Sequence, residues 1–544
     1  MFALLAVLAI PLPAIAQDAQ VDEADIYIDD DPYGRWNRDF TEADIVQVDT
    51  AQVTGPPASQ VANPQVVVRT VPLDETGEAA QRYIERIEAI DNAGPLLNAV
   101  IVYDRQAPVV ATLSLDGPLA GRTVLIKDNI ETIEWPTTAG SLALASNTTG
   151  RDAPLIANLR RSGGVVLGKT NLSEWANIRS NGSSSGWSAV GGLTRNPHAT
   201  DRNACGSSSG SGAAVAAQLA WAAIGTETNG SIICPASING VVGFKPTVGL
   251  VSRTYVVPIS HTQDTAGPMA RSVFDAALLL TAISGSDPLD PATAETDERA
   301  TDFTQGLADA SLEGVRIGVM RGQQGDDARI IALFEQALSD LESAGAVLVD
   351  VHYEFPEEAW QDELTVLLYE LRETLDAYLA GSPADIPVRS LADVIAFNAE
   401  HAGEEMRWFN QDLFEMAAAT TDEAAYEAAL ANILRLSREE GIDRLLAEND
   451  VQLLVAPSEG PAWATDLLHG DNYRFEVGAG YLPAIAGYPH LTVPMGAMEE
   501  LPIGLSFIGG KWDDHAVLKA GAAYERARSA QLAVPDFRPW TPAN

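Results

Sequence analysis

A lysine and two groups of serines in the first half of the chain could together carry out nucleophilic catalysis. Lys127 follows the apolar run "TVLI", Ser207 and Ser208 lie just before a run of small residues, and Ser231 lies in the polar turn "TNGS". A lysine in a dry site loses its charge because desolvation disfavours the ammonium form, and a fall of roughly three pKa units corresponds to about 4 kcal/mol. A neutral lysine can then act as base for a serine, without a histidine. Taken alone, Ser- and Gly-rich segments are also typical of ordinary loops.

The stretch "GGVVLGKT", residues 163–170, fits the spacing G-x-x-x-x-G-K-[ST] of a phosphate-binding loop. Such a loop needs a strand before its first glycine and a flexible segment whose N–H groups surround the phosphates. Here an amphipathic helical pattern precedes Gly163, and the middle residues "VVL" favour a strand. We therefore predict that Lys169 lies at a strand end in a structural role and that the protein is not a nucleotide hydrolase. Lys245, in "FKPT", is predicted to be structural as well.

The stretch "GSSSG", residues 206–210, matches the G-x-S-x-G pattern of serine hydrolases with Ser208 at its centre. That pattern needs a strand leading into the turn and a histidine base elsewhere. The preceding "RNPHATDRNAC" is predicted to be a loop, and no motif singles out one of the seven histidines, although His261 and Asp264 are close in sequence. The sequence therefore argues against a hydrolase of the Ser–His type.

Alternating apolar patterns beyond residue 73 predict a layered α/β fold. "AAQRYIERIEAIDNAG" carries an apolar stripe at helical spacing, "LNAVIVY" and "VVLG" favour strands, and the small residues of "GSGAAVAAQLAWAAIG" predict a closely packed helix. Later, the strand patterns "VRIGVM", "VLVDVH", "DVQLLVAP", "HLTVPMG" and "PIGLSFIG" alternate with helical patterns, and residues 356–450 are predicted to be mostly helical. With no internal repeat and no second core, this alternation predicts a single α/β domain.

Charge and cysteine content narrow the classes of function. The 544-residue chain has 34 basic and 75 acidic residues, and its net charge of −41 opposes nucleic-acid binding because phosphates are repelled. The apolar content of 46% is sufficient for a large core. Cys205 and Cys234 are too few for a disulfide scaffold, and the sequence leaves open whether they pair. The sequence shows no metal-binding constellation, and no cofactor is predicted.

The first 70 residues are predicted to lie outside the folded domain. "MFALLAVLAIPLPAIAQDA" resembles a secretory signal peptide cut after Ala16, although no Lys or Arg precedes its apolar run. The run is about 15 residues long, whereas a membrane span needs roughly 20. Residues 17–70 are acidic and expected to be weakly ordered. We expect an exported protein, periplasmic or secreted, without a stable membrane anchor and with one domain over residues 71–544; the alternative is a buried N-terminal helix.

Several segments resemble the amidase signature family. The strongest are "LAGRTVLIKDN", "TTAGS", "LGKTNLSEW", "CGSSSGSGAAVAA", "GTETNGSIICPA", "GFKPTVGLVS", "DTAGPMARSV" and "LPIGLSFIGG", and the similarity covers roughly residues 75–540. Eight such segments in the family's order are a specific signal, whereas any one of them would be weak. The resemblance implies a three-layer α/β/α fold around a large mixed sheet, a hydrolase that acts on carboxamides, and no cofactor.

The same resemblance implies a Ser–cisSer–Lys triad. By motif, Ser231 corresponds to the nucleophile, Ser207 to a bridging serine that follows a cis peptide bond from Gly206, and Lys127 to the base. Ser207 lies 24 positions before Ser231, which is the usual interval in the family. Ser208 corresponds to a neighbouring polar support. The resemblance assigns the oxyanion hole to the backbone N–H groups of Thr228, Asn229, Gly230 and Ser231.

The chain departs from the family pattern at three positions near these residues. Asn229 precedes Gly230 where many members have two glycines, and Cys205 and Ser209 replace glycines of the first serine loop. Residues 225–273 look most similar to exported bacterial peptide amidases, which release ammonia from C-terminal peptide amides. We therefore predict hydrolysis of such amides through an acyl-enzyme, with the departures bearing on the choice of substrate rather than on catalysis.

Three alternatives stay open. A hydrolase of aryl-acylamides or small aliphatic amides would use the same triad. The amidotransferase subunit that acts on charged tRNA would need partner subunits and a face for nucleic acid, which the net charge of −41 and the signal-like start oppose. A non-catalytic binding protein on the same scaffold is opposed by the presence of Lys127, Ser207 and Ser231. The sequence does not predict the oligomeric state.

Overall fold

The protein is described by a computed structural model that covers residues 73–542. The predicted signal peptide, residues 1–16, and the predicted acidic segment, residues 17–70, lie outside the described residues. None of the helices within residues 73–542 is both long and apolar enough to span a membrane.

Eleven strands of the described chain form one mixed sheet, in the spatial order β1-β3-β2-β8-β10-β9-β14-β15-β13-β11-β12. They are β1 (Val100–Tyr103), β2 (Thr123–Lys127), β3 (Val165–Thr170), β8 (Ala222–Glu227), β9 (Val242–Lys245), β10 (Thr265–Ala270), β11 (Arg316–Val319), β12 (Val347–Asp350), β13 (Leu453–Pro457), β14 (His490–Met498) and β15 (Leu501–Ile508). Strand β2 pairs in parallel with both β3 and β8, and β11 pairs in parallel with β12 and β13, whereas the other neighbours are antiparallel.

Two small ribbons lie apart from this sheet. One pairs β4 (Trp187–Ser188) with β5 (Gly192–Leu193), and the other pairs β6 (Arg195–Asn196) with β7 (Ala199–Asn203). The prediction of a loop over "RNPHATDRNAC" is therefore wrong, because β6 and β7 form a short hairpin there. The hairpin does not join the large sheet, so it gives no strand of the sheet that leads into "GSSSG".

The described chain also contains fifteen α-helices, together with short 3-10 and π-helical segments. They are α1 (Glu75–Arg86), α2 (Ala107–Leu113), α3 (Pro154–Arg161), α4 (Ser209–Ala216), α5 (Ile233–Ile238), α6 (Val273–Ile283), α7 (Thr296–Arg299), α8 (Ala328–Ser343), α9 (Ala359–Gly381), α10 (Leu391–Glu400), α11 (Asp412–Ala419), α12 (Glu423–Ser437), α13 (Asp443–Glu448), α14 (Tyr481–Ala486) and α15 (Asp514–Ala527). Helices α9–α13 confirm the prediction of a mostly helical region over residues 356–450.

Successive residues of the central strands point into two separate cores. In β2, Val124 and Ile126 pack in a core that contains α3, α6, α8 and α15, whereas Leu125 packs on the opposite face with α1, α2, α4 and α5. This alternation follows from the two-residue period of a strand. A sheet with helices on both faces confirms the predicted three-layer α/β/α fold.

The prediction of one continuous helix over "GSGAAVAAQLAWAAIG" is wrong in its second half. Helix α4 ends at Ala216, Gln218 has a positive φ of 57°, and the chain then enters strand β8 at Ala222. The alanines of β8 lie in the middle of the sheet with helices on both faces, so they are buried on both sides. A run of small apolar residues that is buried all round fits a helix and a central strand equally well.

Candidate active site

Lys127 is the last residue of β2, and its side chain is fully buried. Its Nζ donates to Ser207 Oγ at 2.7 Å, to Thr226 Oγ1 at 2.8 Å and to the Thr226 carbonyl at 3.2 Å. Desolvation lowers the pKa of Lys127 to about 7, against the opposing effect of the Asp264 and Glu227 carboxylates. Because burial favours the neutral amine, this lysine can accept a proton from a neighbouring hydroxyl.

Thr226 holds this amine from the neighbouring strand. It lies near the end of β8, which pairs in parallel with β2, so the two strands bring Thr226 and Lys127 together across 99 residues of sequence. Asn129 Nδ2 donates to the same hydroxyl at 3.0 Å. Because Thr226 Oγ1 accepts from both groups, the position of the lysine Nζ is fixed by two elements of the sheet.

Ser207 and Ser208 lie at the start of α4, and the peptide bond from Gly206 to Ser207 is cis. The Ser208 hydroxyl donates to the Thr226 carbonyl at 3.1 Å and accepts from the Thr226 N–H at 3.2 Å. The side chain of Ser208 therefore ties the first serine loop to β8, and its supporting role in catalysis stays a prediction.

Ser231 follows β8 in the turn 228–231 and is nearly buried. Its carbonyl accepts from the Ser208 N–H at 3.2 Å, so the two serine loops are joined through their backbones. Gly230 has a φ of +80°, a left-handed conformation that L side chains rarely adopt, and no atom would meet an added Cβ within 4 Å. Backbone conformation, rather than crowding, therefore requires glycine before Ser231.

Glu227 organises the same turn from inside. Its carboxylate accepts from the N–H groups of Ile232 at 2.7 Å and Ile233 at 3.0 Å, at the start of α5. The Gly230 N–H also helps to stabilise the charged form, although burial has the larger effect and raises the pKa of Glu227. One of the four N–H groups assigned to the oxyanion hole therefore already interacts with a carboxylate, and the assignment of all four stays a prediction.

The side chains of Thr228 and Asn229 are hydrogen-bonded to the segment before β10 and to the helical region, respectively. Asn229 Nδ2 donates to Glu363 Oε1 of α9 at 2.7 Å, and Thr228 Oγ1 donates to Asp264 Oδ1 at 2.6 Å. Gln263 Nε2 donates to the Thr228 carbonyl at 3.2 Å. The asparagine that replaces a family glycine is therefore engaged with Glu363, and sequence reasoning had no signal for that partner 134 positions away.

Lys169 and Lys245 are buried lysines with structural partners. Lys169 is the fifth residue of β3, as predicted, and its Nζ donates to the Ile130 carbonyl at 2.6 Å and pairs with Asp128 Oδ1 at 3.3 Å. Lys245 Nζ donates to the Pro246 carbonyl at 3.1 Å, and burial lowers its pKa to about 8. Since β3 occupies residues 165–170, "GGVVLGKT" is a strand and not a phosphate-binding nest.

The pairing of Cys205 with Cys234, which the sequence left open, is resolved by a disulfide between them. Cys205 lies two residues before Ser207 and Cys234 three residues after Ser231, so the bond joins the two serine loops a second time. The cross-link closes a loop with a sequence separation of 29. Loops of that size are stabilised by about 3–4 kcal/mol when they are closed by a disulfide.

His261 and Asp264 do not form a catalytic pair. The half-exposed His261 has its Nε2 3.4 Å from Glu370 Oε1. The second oxygen of Asp264 accepts from the N–H groups of Ile259 and Ser260 at 2.8 and 2.9 Å. Both side chains are engaged elsewhere, which supports the argument against a Ser–His hydrolase.

A cavity of about 380 Å³ adjoins both serine loops. Gly206, Asn229 and Gly230 line it from the serine loops, and the segment between β13 and α14, residues 458–480, contributes much of the remaining lining. Ser231 lies immediately after Gly230, a lining residue, but is not itself one of the residues that line the cavity. Cavities of this volume are typical of small-molecule sites.

Comparison with known proteins decides the family. The family model "Amidase" matches residues 78–518 of the chain. This protein belongs to the amidase family. It is an enzyme that hydrolyses C–N amide bonds, a serine amidohydrolase of the amidase signature type, and the resemblance seen in the sequence is confirmed.

The relatives of this amidase are named for different activities. A plant protein named "Probable amidase", from Arabidopsis thaliana, is 38% identical over 464 residues, which cover 81% of this chain and 85% of the relative. One of the subunits of the glutamyl-tRNA(Gln) amidotransferase of Pseudothermotoga lettingae is 33% identical over 453 residues, which cover 81% of this chain and 92% of that relative. The crystal structure of the native peptide amidase from Stenotrophomonas maltophilia is 47% identical, with a TM-score of 0.79 over 85% of this chain and 95% of that one.

Proposed function

We propose that this amidase uses Ser231 as nucleophile, Ser207 as proton relay and Lys127 as base. The observation that carries the proposal is the fully buried Lys127 Nζ at 2.7 Å from Ser207 Oγ. A dry amine whose pKa is lowered to about 7 and which touches a hydroxyl is the arrangement that activates a serine without histidine.

In the proposed reaction, the Ser207 hydroxyl gives its proton to neutral Lys127 as it takes the proton of Ser231. The Ser231 oxygen then attacks the amide carbonyl, and N–H groups of the turn 228–231 stabilise the oxyanion. Collapse of this intermediate breaks the C–N bond, and the leaving amine takes a proton from Ser207, which is reprotonated by Lys127. Water then attacks the ester of Ser231, with the same relay acting as base, and releases the carboxylic acid.

We propose C-terminal peptide amides as the substrates. The 47% identity to a peptide amidase supports this choice over the amidotransferase reaction, whose named relative is 33% identical. The net charge of −41 further disfavours a tRNA substrate. Hydrolysis of aryl-acylamides or small aliphatic amides with the same three residues is the second candidate, because a cavity of about 380 Å³ also accommodates a small amide.

We expect ammonia release from a blocked tripeptide amide, and slower or no hydrolysis of an acetanilide at the same concentration. The test measures ammonia and aniline from the two substrates with the wild-type enzyme, beside the matching tripeptide acid as a control for cleavage of internal peptide bonds. Ammonia from the amide without shortening of the tripeptide acid supports a peptide amidase. Rapid release of aniline without ammonia would favour the aryl-acylamide candidate.

We also propose that the protein is exported with loss of residues 1–16. The disulfide between Cys205 and Cys234 supports an oxidising compartment, where such bonds persist. The apolar start and the small residues at 14 and 16 support cleavage after Ala16. Mass spectrometry of the protein from the extracytoplasmic fraction is expected to show an N-terminus at Gln17. Recovery in the cytoplasm with the first 16 residues intact would contradict the proposal.

A further inference from the structure

The cavity beside the serine loops has an aromatic wall. Trp360 and Tyr481 lie with their ring centroids 5.0 Å apart on one part of it, and Trp463 and Tyr473 lie 5.4 Å apart on another. The faces of aromatic rings carry negative electrostatic potential and attract cations, with Trp the strongest. The wall is therefore suited to a group that is apolar along its stem and positively charged at its end.

Two carboxyl groups, Glu459 and Asp471, line the same cavity, and they differ in their free hydrogen-bonding capacity. Asp471 accepts from the Ser185 N–H at 3.0 Å, the Ser185 hydroxyl at 2.6 Å, Asn203 Nδ2 at 3.3 Å and Trp463 Nε1 at 3.2 Å, so its oxygens are largely saturated. Glu459 accepts only from the adjacent Gly460 N–H, at 3.0 Å, among the described residues. A carboxylate oxygen of Glu459 therefore stays available to a ligand.

No lysine, arginine or histidine of the described chain lines this cavity. The segment 471–474 alternates: Asp471 and Tyr473 face the cavity, whereas Asn472 and Arg474 line a different cavity together with Arg202 and other residues. Arg474, the arginine nearest in sequence to Asp471, thus lies on the other side of the segment 471–474. The lining therefore carries two carboxyl groups and no cationic side chain, which favours cations over anions when the carboxyl groups are ionised.

We propose that Glu459 and the aromatic wall bind a cationic side chain of the substrate, so that this amidase prefers amides of arginine- or lysine-bearing peptides. The inference rests on the proposed function, because it assigns a substrate class to the same site. Glu459 acts here as a specificity-determining residue, and its carboxylate pairs with the guanidinium or ammonium group while the stem lies against the rings.

The titration of Glu459 gives the preference a pH dependence. Burial raises the pKa of Glu459 to about 7, with the Gly460 N–H opposing it. Asp471, Tyr473 and Tyr481 are the other titratable groups that line the cavity, and burial raises the pKa of all three. Since a bound cation favours the ionised carboxylate, the preference for cationic substrates increases as the pH rises from 6 to 8.

The test compares isosteric peptides on the Ser231→Ala variant, which binds substrate without consuming it. The probes are N-acetyl-Ala-Ala-Arg amide and N-acetyl-Ala-Arg-Ala amide, each beside the peptide with citrulline in place of arginine. By calorimetry at pH 8, arginine is expected to bind about tenfold more tightly than citrulline at one of the two positions. When Glu459→Gln is added to Ser231→Ala, the ratio of the citrulline to the arginine dissociation constant is expected to fall below about threefold. The substitution removes the charge of residue 459 and keeps its shape.

Glu476→Gln is the matched control. Glu476 is exposed in the same segment and does not line the cavity, so its loss changes the net charge equally but leaves the ratio unchanged. This control separates the local effect of the Glu459 carboxylate from the general attraction of cations to a chain of net charge −41. That general attraction is screened by salt. Equal binding of arginine and citrulline by Ser231→Ala at both positions would overturn the inference, as would an equal loss in the two glutamate variants.

Turnover by the wild-type enzyme separates this inference from the proposed function. Equal binding and equal kcat/KM for the arginine and citrulline peptides, with ammonia released from both, would reject the charge preference and keep the peptide amidase. Tighter binding of the arginine peptide without ammonia release from any peptide would keep the cationic site and reject the proposed reaction.

Discussion

Replacing Ser231 by alanine is expected to lower kcat for amide hydrolysis by about 10⁴-fold or more, with KM changed little. The proposed nucleophile forms the covalent intermediate, and loss of such a group in serine hydrolases removes almost all turnover. The fold is expected to survive, because the contact that joins the two serine loops here uses the Ser231 carbonyl and not its hydroxyl. Ammonia release and thermal unfolding, measured on the same preparation, check both expectations.

Ser209→Ala is the matched control for Ser231→Ala. Ser209 is buried in the same pair of loops, and its hydroxyl donates to the Cys205 carbonyl, so it has a structural partner and no place in the proposed relay. Its loss is expected to lower kcat by less than about tenfold. A fluorophosphonate probe is expected to label the wild type and Ser209→Ala at Ser231 and to leave Ser231→Ala unlabelled. Retention of more than about 1% of kcat by Ser231→Ala would contradict its role as nucleophile.

The position of Lys127 was predictable from local sequence and its partner Ser207 from the family resemblance, whereas its partner Thr226 was not. An apolar run that ends in lysine predicts a strand that buries the start of that side chain, and β2 does so. Thr226 lies on β8, which neighbours β2 only because the chain passes through β3 and α4 and then returns to the middle of the sheet. Strand order over such distances is set by packing of the whole sheet, and no local pattern encodes it.

The helix–strand error at residues 217–225 has a related cause. Alanine has the highest helix propensity, so a run of small residues predicts a helix on local grounds. Here Ala222 and Ala223 pack into opposite cores of the sheet, and small side chains let helices approach it closely from both faces. Tertiary burial therefore overrides the helix propensity of these alanines in β8. The strand is fixed by its pairing with β2 and β10, which the local sequence does not encode.

The residues around the cavity and the serine loops could not be inferred from motifs. Glu363 reaches Asn229 from α9, and Glu459 and Asp471 come from the segment between β13 and α14, more than 200 positions after the serine loops. Neither segment has a pattern that connects it with "GSSSG" or "TNGS". Short motifs thus point to the proposed reacting residues, whereas the side chains around the cavity are brought together only by the folded chain.

Replacing Lys127 by methionine is expected to lower kcat/KM by about 10²–10⁴-fold, which is typical of a lost general base. For the wild type, log kcat/KM for the citrulline peptide is expected to rise with unit slope below pH 7 and to level off above it. The reason is that burial lowers the pKa of Lys127 to about 7 and only the neutral amine accepts a proton. A neutral substrate limits the contribution of Glu459 to this profile.

The profile is measured for the wild type and Lys127→Met between pH 5.5 and 9. The variant is expected to lose the inflection near pH 7 that the wild type shows. Lys169→Met is a control with another buried lysine, whose amine bonds to the Ile130 carbonyl and lies outside the proposed relay, and it is expected to keep the inflection. An unchanged inflection in Lys127→Met would show that another group acts as the base.

The same burial also makes Lys127 costly for folding, which gives an independent test of its charge. Between pH 7 and 10.5 the unfolded chain holds a proton on this amine that the folded chain has lost, so the stability of the wild type rises with pH in that window. Lys127→Met lacks this increment. In urea unfolding at pH 7 and pH 9, the free energy of unfolding of the wild type relative to Lys127→Met is expected to rise by up to about 2–3 kcal/mol. Lys169 and Lys245 are present in both proteins, and their titration cancels in the difference. A difference independent of pH would mean that Lys127 keeps its proton in the folded enzyme, and a permanently charged amine could not accept the proton of Ser207.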